Sequence, residues 1–307
     1  MSLYSIEVFD AKKTSRAIVT IENVAADETV FDLKKRIAQK KPNLGVERQA
    51  LRLEPKGKAL KDEEKVGDLN LPNNGQLYLR DLGPQIGWKT VFLIEYAGPF
   101  FIYPIFYMRP SLIYGSDAVK PIAEAVKLAV YCSSFHYGKR LFETHFIHRF
   151  SNGTMPFMNL FKNCGYYWGF CAFVSYFVNH PLYTSPYFGH TQVYLGLAGF
   201  VLAELGNLSC HVLLRNLRPA GTKERKIPMP DGNPFTLAFN FVSCPNYLYE
   251  VLAWTSFTVM TQSLPAALFT AAGFTQMVIW AQNKHRAYKR EFPNYPKTRT
   301  AIVPFVL

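Results

Sequence analysis

Residues 206–250 read GNLSCHVLLRNLRPAGTKERKIPMPDGNPFTLAFNFVSCPNYLYE, a mixture of polar, charged and apolar residues that a plain membrane anchor would not tolerate. The first part continues an apolar run, since VLAELGNLSCHVLL follows LGLAGF without a break. Asn207, His211, Arg215 and Arg218 recur at steps of four, four and three, which places them on one face of a helix. Pro219 and Gly221 are expected to stop that helix, and Lys223, Arg225 and Lys226 follow in a loop. A second polar set, Asn246, Tyr247 and Glu250, interrupts the next apolar run, with Asn246 and Glu250 one helical turn apart. Such groups are costly against lipid, so the two sets are expected to face each other or a ligand.

Outward from this stretch, the composition is that of a polar head on an apolar body. The 307-residue chain is 49% hydrophobic, and its aromatic residues concentrate after residue 85. The net charge of +12 comes largely from short loops and from the tail KHRAYKREFPNYPKTR, the pattern of cytoplasmic loops of a membrane protein. No base-reading module accompanies the charge, so nucleic acid is not an expected partner. The five cysteines all fall in the apolar part without a CxxC pair, which excludes a disulfide framework and a zinc finger. MSLYSIEVFDAKK lacks the apolar core of a signal peptide, so the first membrane helix is expected to act as the insertion signal.

In the head, SLYSIEVF and AIVTIE alternate apolar and polar residues as half-buried strands do. Val30, Phe31, Leu33 and Ile37 then form one apolar helix face that closes before Pro42. ALRL, KGKAL and QLYLR supply a strand, a turn and a final strand, an order that resembles the ubiquitin fold over residues 1–80. The head runs on through LGPQIGW without a free Gly-Gly tail, so conjugation is not expected. Residues 81–307 form an all-α polytopic membrane domain of about six or seven transmembrane helices, beginning with IGWKTVFLIEYAGPFFIYPIFYM. Glu95 sits in the middle of that first crossing. Lys139 and Glu143 are spaced to pair on the next helix, which leaves a plain ion pair and a functional role both open. His145 and His148 raise the question of a metal, but histidine-box oxygenases need repeated boxes and this chain has seven histidines with no adjacent pair; no metal is expected.

No GxGxxG run is present, so a dinucleotide would have to bind among helices, with Arg215, Arg218, Lys223, Arg225 and Lys226 holding phosphates. NLSCHVLLRNLRP, RKIPMPDGNPFT, SCPNYLYE and KHRAYKREFPNYPKTRTAIVPFVL resemble the C-terminal region of the steroid 5α-reductase family, most strongly over residues 150–307. With the head and YGKRLFETHFIHRFSNGTMP, the whole chain resembles the very-long-chain trans-2-enoyl-CoA reductases of fatty-acid elongation. The resemblance implies NADPH as cofactor. Asn207, Arg218, Asn246, Glu250 and His285 match positions that contact NADPH, and Lys226 stands where another member has an arginine. Glu95 and Tyr137 fall where the steroid enzymes place the carboxylate and tyrosine that grip the substrate carbonyl, while Tyr247 and Lys139 match residues held essential in the enoyl-CoA reductases. His211, counted with the cofactor set, replaces an acid of the steroid enzymes, and Tyr249 replaces a glycine.

The resemblance further implies residence in the endoplasmic reticulum membrane, with head and basic tail cytosolic, and the elongase, ketoacyl reductase and hydroxyacyl dehydratase as partners. Long-chain enoyl-CoA is the implied substrate. Its reduction builds negative charge on the thioester oxygen, where a tyrosine hydroxyl is a suitable neutral donor. Tyr137 and Tyr247 compete for this role and the sequence does not rank them; the working assignment has Tyr247 give the proton to Cα and Tyr137, oriented by Glu95, polarise the carbonyl. The competing readings are a steroid or polyprenol reductase, a lipid methyltransferase of similar helical build, and a non-enzymatic adaptor working through its head.

Overall fold

The computed structural model describes every residue except 1–2, 151–152, 220–221 and 223, so Gly221 and Lys223 lie outside the described residues. The chain divides into two compact units. The first ends at Gly87 and is joined by a short piece ending at Asn159; the second begins at Trp88.

In the first unit β1 (Leu3–Asp10) pairs antiparallel with β2 (Ala17–Ala25) and parallel with the later β4, and α1 (Val30–Lys40) crosses between them. Together with β3 (Gln49–Arg52) and β4 (Gly75–Asp81) the sheet order is β2-β1-β4-β3. The alternation seen in the sequence sets its core, because Ile6, Val8, Leu77 and Leu79 all point to the face covered by Val30, Leu33 and Ile37 of α1. A capping box starts the helix: Thr29 Oγ1 accepts from the Asp32 N–H, and Asp32 accepts from the Thr29 N–H at 3.1 Å. Phe31 corrects the expected apolar face. It lies 39% exposed under the Lys35 ammonium, and the stem of Lys34 is buried instead. Short strands β5 (Gln85–Gly87) and β6 (Thr154–Pro156) pair antiparallel at the close of the unit.

The second unit is helical: α2 (Trp88–Tyr107), the single turn α3 (Ser111–Tyr114), α4 (Glu124–Phe142) prolonged by a π-turn at Glu143–Ile147, α5 (Met158–Val178), α6 (Gly189–Leu217), α7 (Pro245–Thr261) and α8 (Leu264–Glu291). Among the described residues three helices, α2, α6 and α8, are long and apolar enough to cross a membrane, fewer than the six or seven expected. The other long helices fall short for separate reasons. α4 carries Lys127, Lys139 and Arg140; α7 has only 17 residues; α5 mixes Asn159, Lys162, Asn163 and three tyrosines into its apolar run.

α6 and α7 pack in close contact, and glycine makes this possible. A Cβ on Gly196 would stand 2.7 Å from the backbone nitrogen of Met260. Tyr103, Tyr137, Phe200, Trp254 and Phe257 fill the core around this seam. α6 ends at Leu217, capped by Arg218 ahead of Pro219. α7 starts with Pro245 in its first turn, where a missing N–H costs nothing. The C-terminal segment straps the start of α7: the N–H groups of Ser243 and Cys244 donate to the carbonyls of Thr300 and Ala301 at 2.9 and 3.1 Å.

Candidate functional site

Two helical stripes meet at the centre of the second unit. On α4, His136, Lys139 and Arg140 lie within one turn or so, and Glu143 follows on the π-turn. On α6, Glu204, Asn207 and His211 share a face, and all three are buried. Lys139 donates to Asn207 Oδ1 and makes ion pairs with Glu204 at 3.0 Å and Glu143 at 3.3 Å. Asn207 turns its amide to α7, where Nδ2 donates to the Asn246 carbonyl at 2.9 Å and to Glu250 Oε2 at 3.1 Å. Asn207 of the first polar set in residues 206–250 therefore faces Asn246 and Glu250 of the second. The Lys139–Glu143 pair is one bond of this larger network.

Arg140 extends the network. It donates to Glu143 at 2.9 Å and to the Tyr96 hydroxyl at 2.9 Å, with its guanidinium over the Tyr96 ring. His211 Nδ1 lies 3.1 Å from Glu143 and 3.4 Å from His148 Nε2. Glu143, His148 and His211 thus bring ligand atoms within 4.8 Å of one another, a spacing that suits a metal ion. The Arg140 guanidinium, 2.9 Å from the same Glu143 oxygen and 3.3 Å from the same His211 nitrogen, already serves that position as the cation. Burial is the first cause, followed by the neighbouring His211 and Arg140, that holds the loop residue His148 down to a pKa of about 3.

The network opens onto a cavity of about 470 Å³. His211 and Asn246 stand in its wall with Arg149, Arg215, Arg218, Arg225, Lys226 and Lys284, against Glu224 as the one carboxylate lining it among the described residues. The buried Asn246 Oδ1 has no hydrogen-bond partner among the described residues.

The remaining sequence candidates stand apart from this cavity. Glu95 accepts from Asn163 at 2.6 Å. Tyr137 is buried among aromatic rings, 4.9 Å from His136 and 6.0 Å from Trp254 between centroids. It borders a small apolar slot with Tyr103, Ser133, Phe170 and Cys171, in which the Tyr103 and Ser133 hydroxyls have no partner among the described residues. Tyr247 packs toward α8, its ring 6.3 Å from Trp280. His285 binds Ser243 Oγ at 2.6 Å, and that hydroxyl also meets the Tyr295 hydroxyl at 2.6 Å, so it belongs to the strap under α7.

Sequence reasoning missed His136, Arg140, Glu204 and Lys284. The signal was present as Glu204 at three and seven residues before Asn207 and His211, a charged member of the same stripe inside LGLAGFVLAEL.

The chain belongs to the 3-oxo-5-alpha-steroid 4-dehydrogenase family, whose pattern matches residues 153–307. Residues 4–81 match the TECR ubiquitin-like domain. The chain is 65% identical to a probable very-long-chain enoyl-CoA reductase of Caenorhabditis elegans over 98% of its own length and 99% of that protein. It is 47% identical to the very-long-chain enoyl-CoA reductase of Dictyostelium discoideum, across 98% of this chain and 100% of that one, and 40% identical to a human trans-2,3-enoyl-CoA reductase-like protein over 99% and 84%.

The family implies a nicotinamide cofactor. The cavity fits one: six cationic side chains match its phosphates, and the unpartnered Asn246 Oδ1 offers an acceptor for an amide.

Proposed function

We propose that the chain is a membrane-embedded oxidoreductase that saturates the C=C bond of a very-long-chain trans-2-enoyl-CoA, using NADPH, as the last step of a fatty-acid elongation round. The observation that carries the reading is the convergence of Lys139, Asn207, Asn246 and Glu250 from three helices at the head of a basic cavity. The names of the relatives from Caenorhabditis elegans and Dictyostelium discoideum support it.

In this reading Arg218, Lys226 and their neighbours hold the phosphates, Asn207, His211, Asn246 and Glu250 hold or shape the nicotinamide half, and His285 supports them from the strap under α7. When bound, NADPH supplies the hydride for Cβ. Tyr137 lends its hydroxyl to the thioester oxygen as charge develops there, held in place by the His136 and Trp254 rings. The apolar slot beside it takes the start of the acyl chain. Tyr247 gives the proton to Cα, and Lys139 and Glu95 keep the surrounding polar groups in register. The head spans residues 1–80 and the reductase body 81–307, crossing the endoplasmic reticulum membrane six or seven times. Head and tail face the cytosol beside the elongase, ketoacyl reductase and hydroxyacyl dehydratase.

The test is turnover by the purified protein with a very-long-chain trans-2-enoyl-CoA, followed through NADPH absorbance, with an enone steroid as the second arm. Consumption with the thioester alone is expected. Tyr137→Phe and Tyr247→Phe should each lower kcat by roughly 10²-fold or more. Consumption with the steroid alone, or wild-type rates in both variants, refutes the reading.

A further inference from the structure

His136 lies at the middle of the buried centre and is 1% exposed. Its Nδ1 is 2.6 Å from Glu204 Oε1 on α6, and its Nε2 is 3.3 Å from Glu250 Oε1 on α7. A neutral imidazole has one N–H and one lone pair, so one of these carboxylates would meet a lone pair; only the doubly protonated ring donates to both. The charged groups around it give the same answer. Glu143, Glu204 and Glu250 supply three negative charges, and Lys139 and Arg140 supply two positive ones through their pairs with Glu143 and Glu204. His211, 3.1 Å from Glu143, adds none, because the Arg140 guanidinium can only donate to its Nδ1, which therefore keeps its lone pair. Tyr96, which takes the other end of Arg140, is an acceptor there and adds no charge while protonated. With a neutral His136 the centre would bury one unmatched negative charge, a costly arrangement away from water. As an imidazolium it brings the count to three against three.

We propose that His136 is a permanently protonated strut that ties α6 to α7 through Glu204 and Glu250 and so positions the cofactor side of the cavity. The inference rests on the function proposed above for its catalytic meaning, though the strut itself does not. Glu250 is gripped at both oxygens, by His136 at Oε1 and by Asn207 at Oε2. Asn207 in turn holds the Asn246 carbonyl at the cavity wall. His136 touches none of the reacting atoms in this scheme. It acts through Glu250 and Asn207, and is a positioning residue.

The experiment is nitrogen NMR of the full-length, ¹⁵N-histidine-labelled protein in detergent without cofactor. One ring should show both nitrogens protonated at pH 8, well above the ordinary histidine range near 6.5. That signal should vanish in His136→Gln and move its titration to lower pH in Glu204→Gln. The second readout is stability and cofactor affinity. His136→Gln should lower the thermal midpoint and weaken NADPH binding at least tenfold, and His136→Gln with Glu204→Gln should regain at least half of the lost midpoint, because the charges match again. A ring with a single protonated nitrogen at pH 8, or a double variant no more stable than His136→Gln, overturns the proposal. If His136→Gln does not fold, the Glu204→Gln titration alone decides. Loss of enoyl-CoA turnover in the wild type with the imidazolium signal intact would refute the function and leave the strut standing.

Discussion

His148, in the loop that follows the π-turn, titrates differently in the folded and the unfolded chain. In the fold its pKa is pressed to about 3 by burial and by the neighbouring His211 and Arg140, whereas an unfolded histidine titrates near 6.5. The unfolded chain therefore binds the extra proton first, so this contribution to stability is fully present above about pH 6.5 and is lost as the pH falls toward 3. Thermal melts from pH 7 to pH 4 should show a falling midpoint in the wild type and a flatter acid limb in His148→Gln; identical limbs would contradict the assignment. At this scale the sequence was legible where one helix carries the pattern. Asn207 and His211 share a stripe, and Asn246 and Glu250 share another, because helical spacing alone aligns them. Glu95 and His136 were not legible in the same way. Whether Glu95 meets Tyr137 or Asn163, and whether His136 meets one carboxylate or two, depends on the rotation of separate helices about their axes.

Between elements, the decisive contact is that of α6 with α7. Because the Cβ of an alanine at 196 would run into the Met260 backbone at 2.7 Å, the helices would have to separate rather than let a side chain swing away. Gly196→Ala should cost about 1–3 kcal/mol, the usual range for overpacking, and lower the thermal midpoint of the protein. Gly169→Ala on α5 is the control, since its Cβ would meet nothing within 4 Å and helix propensity favours alanine. A Gly196→Ala midpoint at or above that of Gly169→Ala would show that the α6–α7 seam has room for a methyl group. Strand and helix positions in the head could be read from alternation and from Pro42. The number of crossings could not, because apolar runs such as α5 and α7 carry enough polar aromatics, amides or too little length to blur the distinction between a spanning helix and a packed one.

For the whole molecule, the uneven charge matters most at the cavity, where six cations face one carboxylate among the described residues. Under the proposed function, Arg218→Gln with Lys226→Gln removes two of the groups available to a 2′-phosphate. Each charge-assisted bond is worth about 1.5–3 kcal/mol, so the KM for NADPH should rise at least tenfold while that for NADH changes little. An equal rise for both would place the phosphate contacts elsewhere. The basic loop was visible as composition, but its convergence with Arg149 and Lys284 needed the tertiary fold, since these residues are scattered over the chain between positions 149 and 284.

The strap under α7 also takes in Leu307. The carbonyl of Leu307 already accepts from the N–H groups of Ile302 and Val303, both at 2.7 Å, which folds the final residues back on themselves. Anything that displaces Leu307 would tug on this knot, and through Thr300 and Ser243 on the first turn of α7.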